Sequence, residues 1–135
     1  MINRLVKNKL SIALLCFLLD LGLSLWSYFE VTNYDKFTKS IKAVVSSPDF
    51  QVQIYQVLIQ TLTFSLMLFL VAHLIIYFLF CKSKKFAIKY VRFYTFMATV
   101  SCVLMIATKV YAAIIPALLY GLCFKAIGPI TKESK

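Results

Sequence analysis

The 135-residue chain has little of what most catalytic sites are built from: five acidic residues, three glycines and one histidine. One histidine cannot supply a multi-histidine metal site or a bis-histidine haem. The glycines form no phosphate-binding loop. The four cysteines include no Cys-x-x-Cys pair and fit small packing residues. We therefore expect no cofactor, no metal and no enzymatic activity.

Charge is also scarce. Charged residues make up 15% of the chain, compared with about 25% in soluble domains, while 61% of residues are hydrophobic and mean hydropathy is +0.85. The fifteen lysines and arginines lie mainly between long apolar runs. This pattern excludes a soluble enzyme and a disordered tail. The net charge of +10 does not indicate nucleic-acid binding, because the cations flank apolar segments instead of covering a polar surface.

The apolar runs predict four transmembrane helices. A span needs roughly 20 residues. The run 10–29 matches this length, and the run 52–80 exceeds it. A third run, residues 93–124, contains only Lys109 as a charge, and as one helix it would be about 48 Å long. The hydrocarbon core is only about 30 Å thick, so we place a turn at Lys109 in preference to the alternative of an intramembrane lysine. The spans are then approximately 10–29, 52–80, 90–108 and 110–127, an all-α four-helix transmembrane bundle.

The basic residues predict the orientation of these spans. Lys and Arg near span ends are retained in the cytoplasm, and they cluster in residues 4–9, in the connection 81–92 and in residues 125–135. Four spans place all three groups on one side, so both termini are expected in the cytoplasm. We expect a plasma membrane of the bacterial inner-membrane type. A cleaved secretory signal is disfavoured because Asp20 interrupts the first run and no small-x-small cleavage site follows.

The external connection, residues 30–51, is the one loop long enough to fold. Tyr34, Phe37 and Ile41 recur at helical spacing, which predicts a short amphipathic helix on the membrane surface. Thr32 or Asn33 is available as its N-cap. Pro48 then suits the first turn of the second spanning helix.

Small and polar residues predict the packing faces of the spans, because membrane helices associate through such residues. On the fourth span Ala113, Ala117 and Gly121 form a small-xxx-small pattern, and Pro116 predicts a bend. On the second span the polar stripe is Gln56, Gln60 and Thr63.

Asp20 is the most informative residue, because a carboxylate inside a span is costly and is usually functional. Counted from the cytoplasmic ends of their spans, Asp20 lies about 15 Å deep and His73 about 12 Å deep. The two are therefore predicted to pair, in a layer that the remaining residues complete: Ser24, Cys102 and Tyr120. The open alternative is a purely structural pair, or a neutral Asp20 bonded to Ser24 or to a neighbouring helix.

Two functions remain. With almost no mass outside the bilayer, the chain is expected to act by association, as an accessory or scaffold subunit or as a small homo-oligomer. Its partners are then the lipid bilayer and either itself or a larger membrane protein, and not nucleic acid. The rival is a small channel or transporter that moves protons, ions or a small polar solute past Asp20 and His73.

Overall fold

The structure is a computed structural model that describes the backbone of residues 2–133 and the side chains of residues 7–132. Two cations used in the orientation argument, Arg4 and Lys135, therefore have side chains outside the described residues. No strand occurs among residues 2–133, so the predicted all-α class is confirmed. The elements in order are α1 (Ile2–Val31), α2 (Tyr34–Ile41), α3 (Pro48–Cys81), α4 (Lys85–Ala107), a 3-10 helix (Tyr111–Ala113) and α5 (Ile114–Glu133).

Within the described residues, four helical segments are long and apolar enough to cross a membrane. They are Lys7–Val31, Pro48–Cys81, Lys85–Ala107 and Tyr111–Lys132. The longest, α3, has 34 residues and therefore a length of about 51 Å. It is about 20 Å longer than the hydrocarbon core of a bilayer.

The chain divides into two compact units, whose boundaries fall inside α1 and α3. The first unit contains Met1–Leu19 and His73–Lys135, and the second contains Asp20–Ala72.

The core of the first unit is a cluster of buried apolar side chains contributed by all four long helices. It uses the first half of α1, the last turns of α3, the first turns of α4 and the second half of α5. The start of α1, the α3–α4 turn and the end of α5 therefore lie at the same end of the first unit. The buried members are Ile12, Ala13, Cys16, Tyr77, Phe80, Ala87, Ile88, Val91, Cys123, Ile127 and Ile130.

A three-residue turn joins α3 to α4. Ser83 has a positive φ of 60°, and the backbone N–H of Lys84 donates to the Leu79 carbonyl at 3.1 Å, which satisfies the end of α3. The Lys9 ammonium donates to the Ser83 hydroxyl and ties α1 to this turn. Because α4 begins at Lys85, most of the basic connection predicted at 81–92 is helical.

Lys109 lies in the turn between α4 and the 3-10 helix and is exposed. Its φ is 71°, and its N–H donates to the Ile106 carbonyl at 2.9 Å. Pro116 lies in the first turn of α5, where its missing N–H costs little. The proline in the interior of α5, beyond its first turn, is Pro129.

The second unit contains the short helix α2, which lies within the predicted external connection. Asn33 is its N-cap, and the side chain accepts the Lys36 N–H at 3.2 Å. Tyr34 and Phe37 place their rings 5.0 Å and 5.3 Å from the ring of Tyr55 on α3. The Tyr55 hydroxyl also donates to the Thr32 carbonyl, so one tyrosine of α3 holds the start of α2. We call α2 and the adjoining first turns of α3 the α2 hairpin.

Candidate functional site

The first unit buries a histidine among tyrosines. His73, in the last third of α3, is 3% exposed. Its Nε2 lies 3.1 Å from the hydroxyl of Tyr90 on α4. When Nε2 carries the proton the imidazole donates this bond, and when Nε2 is bare the phenol donates it. The pair can therefore hold one hydrogen bond in either of two protonation arrangements.

Three tyrosine rings surround the imidazole edge to face. The ring centroids of Tyr77, Tyr90 and Tyr94 lie 5.6, 5.8 and 4.4 Å from that of His73. Tyr94 also meets the fully buried Tyr120 of α5 at 6.1 Å. Such edge contacts each contribute about 0.5–1.5 kcal/mol beyond the buried area. We call His73, Tyr77, Tyr90, Tyr94 and Tyr120 the histidine–tyrosine cluster.

The cluster combines two residues of the predicted polar layer, His73 and Tyr120, with three that were not predicted in that layer: Tyr77, Tyr90 and Tyr94. Tyr90 lies where the predicted connection 81–92 overlaps the predicted span 90–108, and Tyr94 lies within that span. A signal was available: each pair 73/77 and 90/94 has a spacing of four, which places both side chains of the pair on one helix face.

Asp20 and Ser24 lie in the second unit and are both buried, at 1% and 7% exposed. One helical turn separates them, so they share a face of α1. The predicted pairing of Asp20 with His73 stays a prediction.

Polar side chains of α4 are satisfied largely by their own helix. Buried Thr95 donates to the Val91 carbonyl at 2.9 Å, and Thr99 donates to the Thr95 carbonyl at 2.7 Å. Cys102 is buried and is a free thiol. Residues 7–132 contain no group of three or more His, Cys, Asp or Glu side chains placed to hold a metal ion.

Ala113 ends the 3-10 helix, and Ala117 and Gly121 lie on α5; both of these segments contact α4. Ala113 and Ala117 are buried, and a methyl group added at Gly121 would meet Thr99 Cγ2 at 3.9 Å, an ordinary van der Waals distance. The small-xxx-small face therefore packs within the chain.

The polar stripe of α3 is exposed. Gln56, Gln60 and Thr63 are all on the surface, and Gln53 one turn earlier is exposed as well. Within the described side chains, no residue of α3 before His73 is buried. Large apolar side chains are exposed beside the amides, among them Val57 at 62% and Phe64 at 66%.

The site therefore has two parts: a buried histidine–tyrosine cluster in the first unit, and an exposed face of mixed amide and apolar groups on α3 in the second. Neither part resembles a hydrolytic or metal-dependent centre in the residues present. No family model, no curated protein and no solved structure matches the chain.

Proposed function

We propose that this chain is an integral membrane protein that crosses the bilayer four times as a helical bundle and acts by association, as a scaffold or accessory subunit or a small homo-oligomer. Support for the arrangement comes from the first unit, where the start of α1, the α3–α4 turn and the end of α5 share one core. Most of the basic residues lie at this end. Retention of cations in the cytoplasm then orients both termini inward.

Side-specific labelling tests this orientation. In a chain whose four cysteines are replaced by alanine, single cysteines at positions 39, 85 and 109 are offered an impermeant maleimide in intact cells. Label at 39 and 109 without label at 85 is the expected result. Equal labelling of 39 and 85 from outside would overturn the four-span orientation.

The association role is supported by the surface of α3 between Pro48 and Ala72. In hydrocarbon, the exposed amides of Gln56 and Gln60 would lack hydrogen-bond partners. In water, the exposed side chains of Val57 and Phe64 would form an apolar patch. Because amides and apolar groups alternate along the same stretch, neither solvent suits the whole surface. A partner helix suits both, since its polar groups bond the amides and its apolar groups cover the rest.

The excess length of α3 agrees with this role. A helix about 20 Å longer than the hydrocarbon core must tilt or extend beyond the bilayer. In either case the part of α3 before His73 is a continuous helix whose side chains are accessible to a partner. We place the contact with the partner there, on the face that contains Gln53, Gln56, Gln60 and Thr63.

Energy transfer between donor- and acceptor-labelled chains in proteoliposomes tests association. We expect transfer that falls on dilution with lipid. Replacing Gln56 and Gln60 with alanine should weaken association about tenfold, since each interhelical hydrogen bond in a membrane contributes about 0.6–2 kcal/mol. The matched control replaces Thr61 and Ser65, which are exposed on a different face of the same helix, with alanine. Equal effects of the two double variants would contradict the assigned face.

The second candidate function is movement of protons, ions or a small polar solute past Asp20 and His73. It is favoured by the hydrogen bond between His73 and Tyr90, because an imidazole and a phenol can pass a proton between them. The test is flux into proteoliposomes for the wild type and for Asp20→Asn. Absence of pH- or solute-dependent flux in the wild type would remove this candidate, and so would an unchanged flux and pH profile in Asp20→Asn.

A further inference from the structure

One face of α4 carries cations on its first turns and apolar side chains on its later turns. Lys85, Lys89 and Arg92 are spaced by four and three residues, so they project from the same side of the helix. All three are exposed. The same face continues with three exposed apolar residues at matching spacing: Phe96, Val100 and Val103.

The dimensions of this face match one leaflet of a bilayer. The three cations extend over about 10 Å of helix, and the apolar part continues for about 16 Å from Arg92 to Val103. Half of a hydrocarbon core is about 15 Å thick. A phospholipid has the same order of parts, with a charged headgroup followed by acyl chains of one leaflet's depth.

Contacts with α5 hold the middle of this face in place. The Arg92 guanidinium lies over the Phe124 ring, 5.5 Å from its centroid, and the Phe96 ring lies 5.7 Å from the same ring. A guanidinium stacked on an aromatic ring keeps its N–H edge available for a phosphate. Phe124 therefore orients both the cationic and the apolar part of the face.

Among the described side chains of the first unit, the cations of this face have no carboxylate partner. Residues 7–19 and 73–132 contain no aspartate and no glutamate, whereas they contain ten lysines and arginines. Retention of a loop in the cytoplasm requires only that cations lie near a span end. It does not require an arginine oriented by a ring, nor an apolar continuation on the same face. An anion from outside the chain satisfies the whole arrangement.

We propose that this face of α4 binds one anionic phospholipid, whose phosphate contacts Lys85, Lys89 and Arg92 and whose acyl chains lie along Phe96, Val100 and Val103. The inference relies on the membrane-spanning part of the proposed function and not on association with a partner. The lipid site can therefore fail while association stands, and the reverse also holds.

Native mass spectrometry of the purified full chain tests the site directly. The probe is an equimolar mixture of phosphatidylglycerol and phosphatidylcholine with identical acyl chains. We expect the wild type to retain phosphatidylglycerol preferentially. Each cation near an anionic surface changes affinity by about fivefold, so the triple variant Lys85→Gln, Lys89→Gln, Arg92→Gln should lose at least about tenfold of the preference.

The matched control removes the same charge from the second unit, as Lys36→Gln, Lys39→Gln, Lys42→Gln, and should retain the preference. Equal retention of both lipids by the wild type, or equal losses in the two triple variants, would overturn the proposal. Displacement of bound lipid by glycerol phosphate would also overturn it, because a headgroup alone would then suffice. If the triple variant does not fold, as judged by circular dichroism, Lys89→Gln alone should show a loss of about fivefold, and an unchanged preference would count against the site.

Discussion

The imidazole of His73 and the hydroxyl of Tyr90 lie 3.1 Å apart and connect α3 to α4 inside the first unit. The two residues are 17 positions apart in the chain, across the turn that contains Ser83. This bond fixes the rotation of one helix relative to the other, because it forms only when both side chains face the same interior. The rings of Tyr77 and Tyr94 pack edge to face against the His73 imidazole.

Removing the Tyr90 hydroxyl should destabilise the protein. In Tyr90→Phe the ring contacts remain, but the buried His73 loses a hydrogen-bond partner, which typically costs about 1–3 kcal/mol. We expect a lower thermal midpoint in detergent, measured by tryptophan fluorescence or circular dichroism. The control is Tyr111→Phe, because the Tyr111 side chain is 65% exposed. Equal midpoints for the two variants would show that the bond to His73 contributes nothing.

Enlarging Ala117 should disturb the contact of α5 with α4. Ala117 is 8% exposed, so the extra atoms of leucine have no free volume to occupy. Overpacking of this kind costs about 1–3 kcal/mol. The neighbouring Leu118 is 64% exposed, and Leu118→Ala should leave stability almost unchanged. The measurement is the free energy of unfolding in mixed detergent, and a stable Ala117→Leu protein would indicate that this face is not closely packed.

Tyr55 should control the stability of the α2 hairpin. The variant Tyr55→Ala removes two aromatic contacts and the hydrogen bond to the Thr32 carbonyl. Together these contribute roughly 2–4 kcal/mol. We therefore expect trypsin to cleave after the exposed Lys39 and Lys42 at least tenfold faster in proteoliposomes, where cleavage follows the population of the open hairpin.

The control for this measurement is Tyr111→Ala, which removes an exposed aromatic ring from the first unit. Cleavage rates that do not distinguish Tyr55→Ala from this control would mean that α2 is held by other contacts.

Hydropathy and charge were sufficient to predict the helical class and the number of long helices, because both depend on composition along the chain. The turn at Lys109 could also be anticipated, since a helix through it would be too long for the hydrocarbon core. Which side chains meet is a different kind of information. It depends on the rotation and axial offset of packed helices, and neither is encoded in the spacing of residues within one helix.

Tyr90 illustrates this limit. It lies among lysines at the very start of the predicted span 90–108, but α4 begins at Lys85 and Tyr90 is already in its second turn. Helix formation does not require apolar residues, so the first apolar residue of a span does not mark the start of the helix. Gln56 and Gln60 illustrate a second limit. A stripe of amides predicts a contact face, but it does not predict whether that contact lies within the chain or with a partner.

The central claim, that the surface of α3 before His73 contacts another protein chain, is tested most directly by site-specific photo-crosslinking in intact membranes. A photoreactive amino acid is placed at Gln56 and, in a separate variant, at Ser65, which lies on the opposite side of the same helix. We predict a discrete crosslinked product from position 56, either a dimer of this chain or an adduct with one larger membrane protein, and much less product from position 65. Crosslinking to lipid alone at both positions would contradict the account.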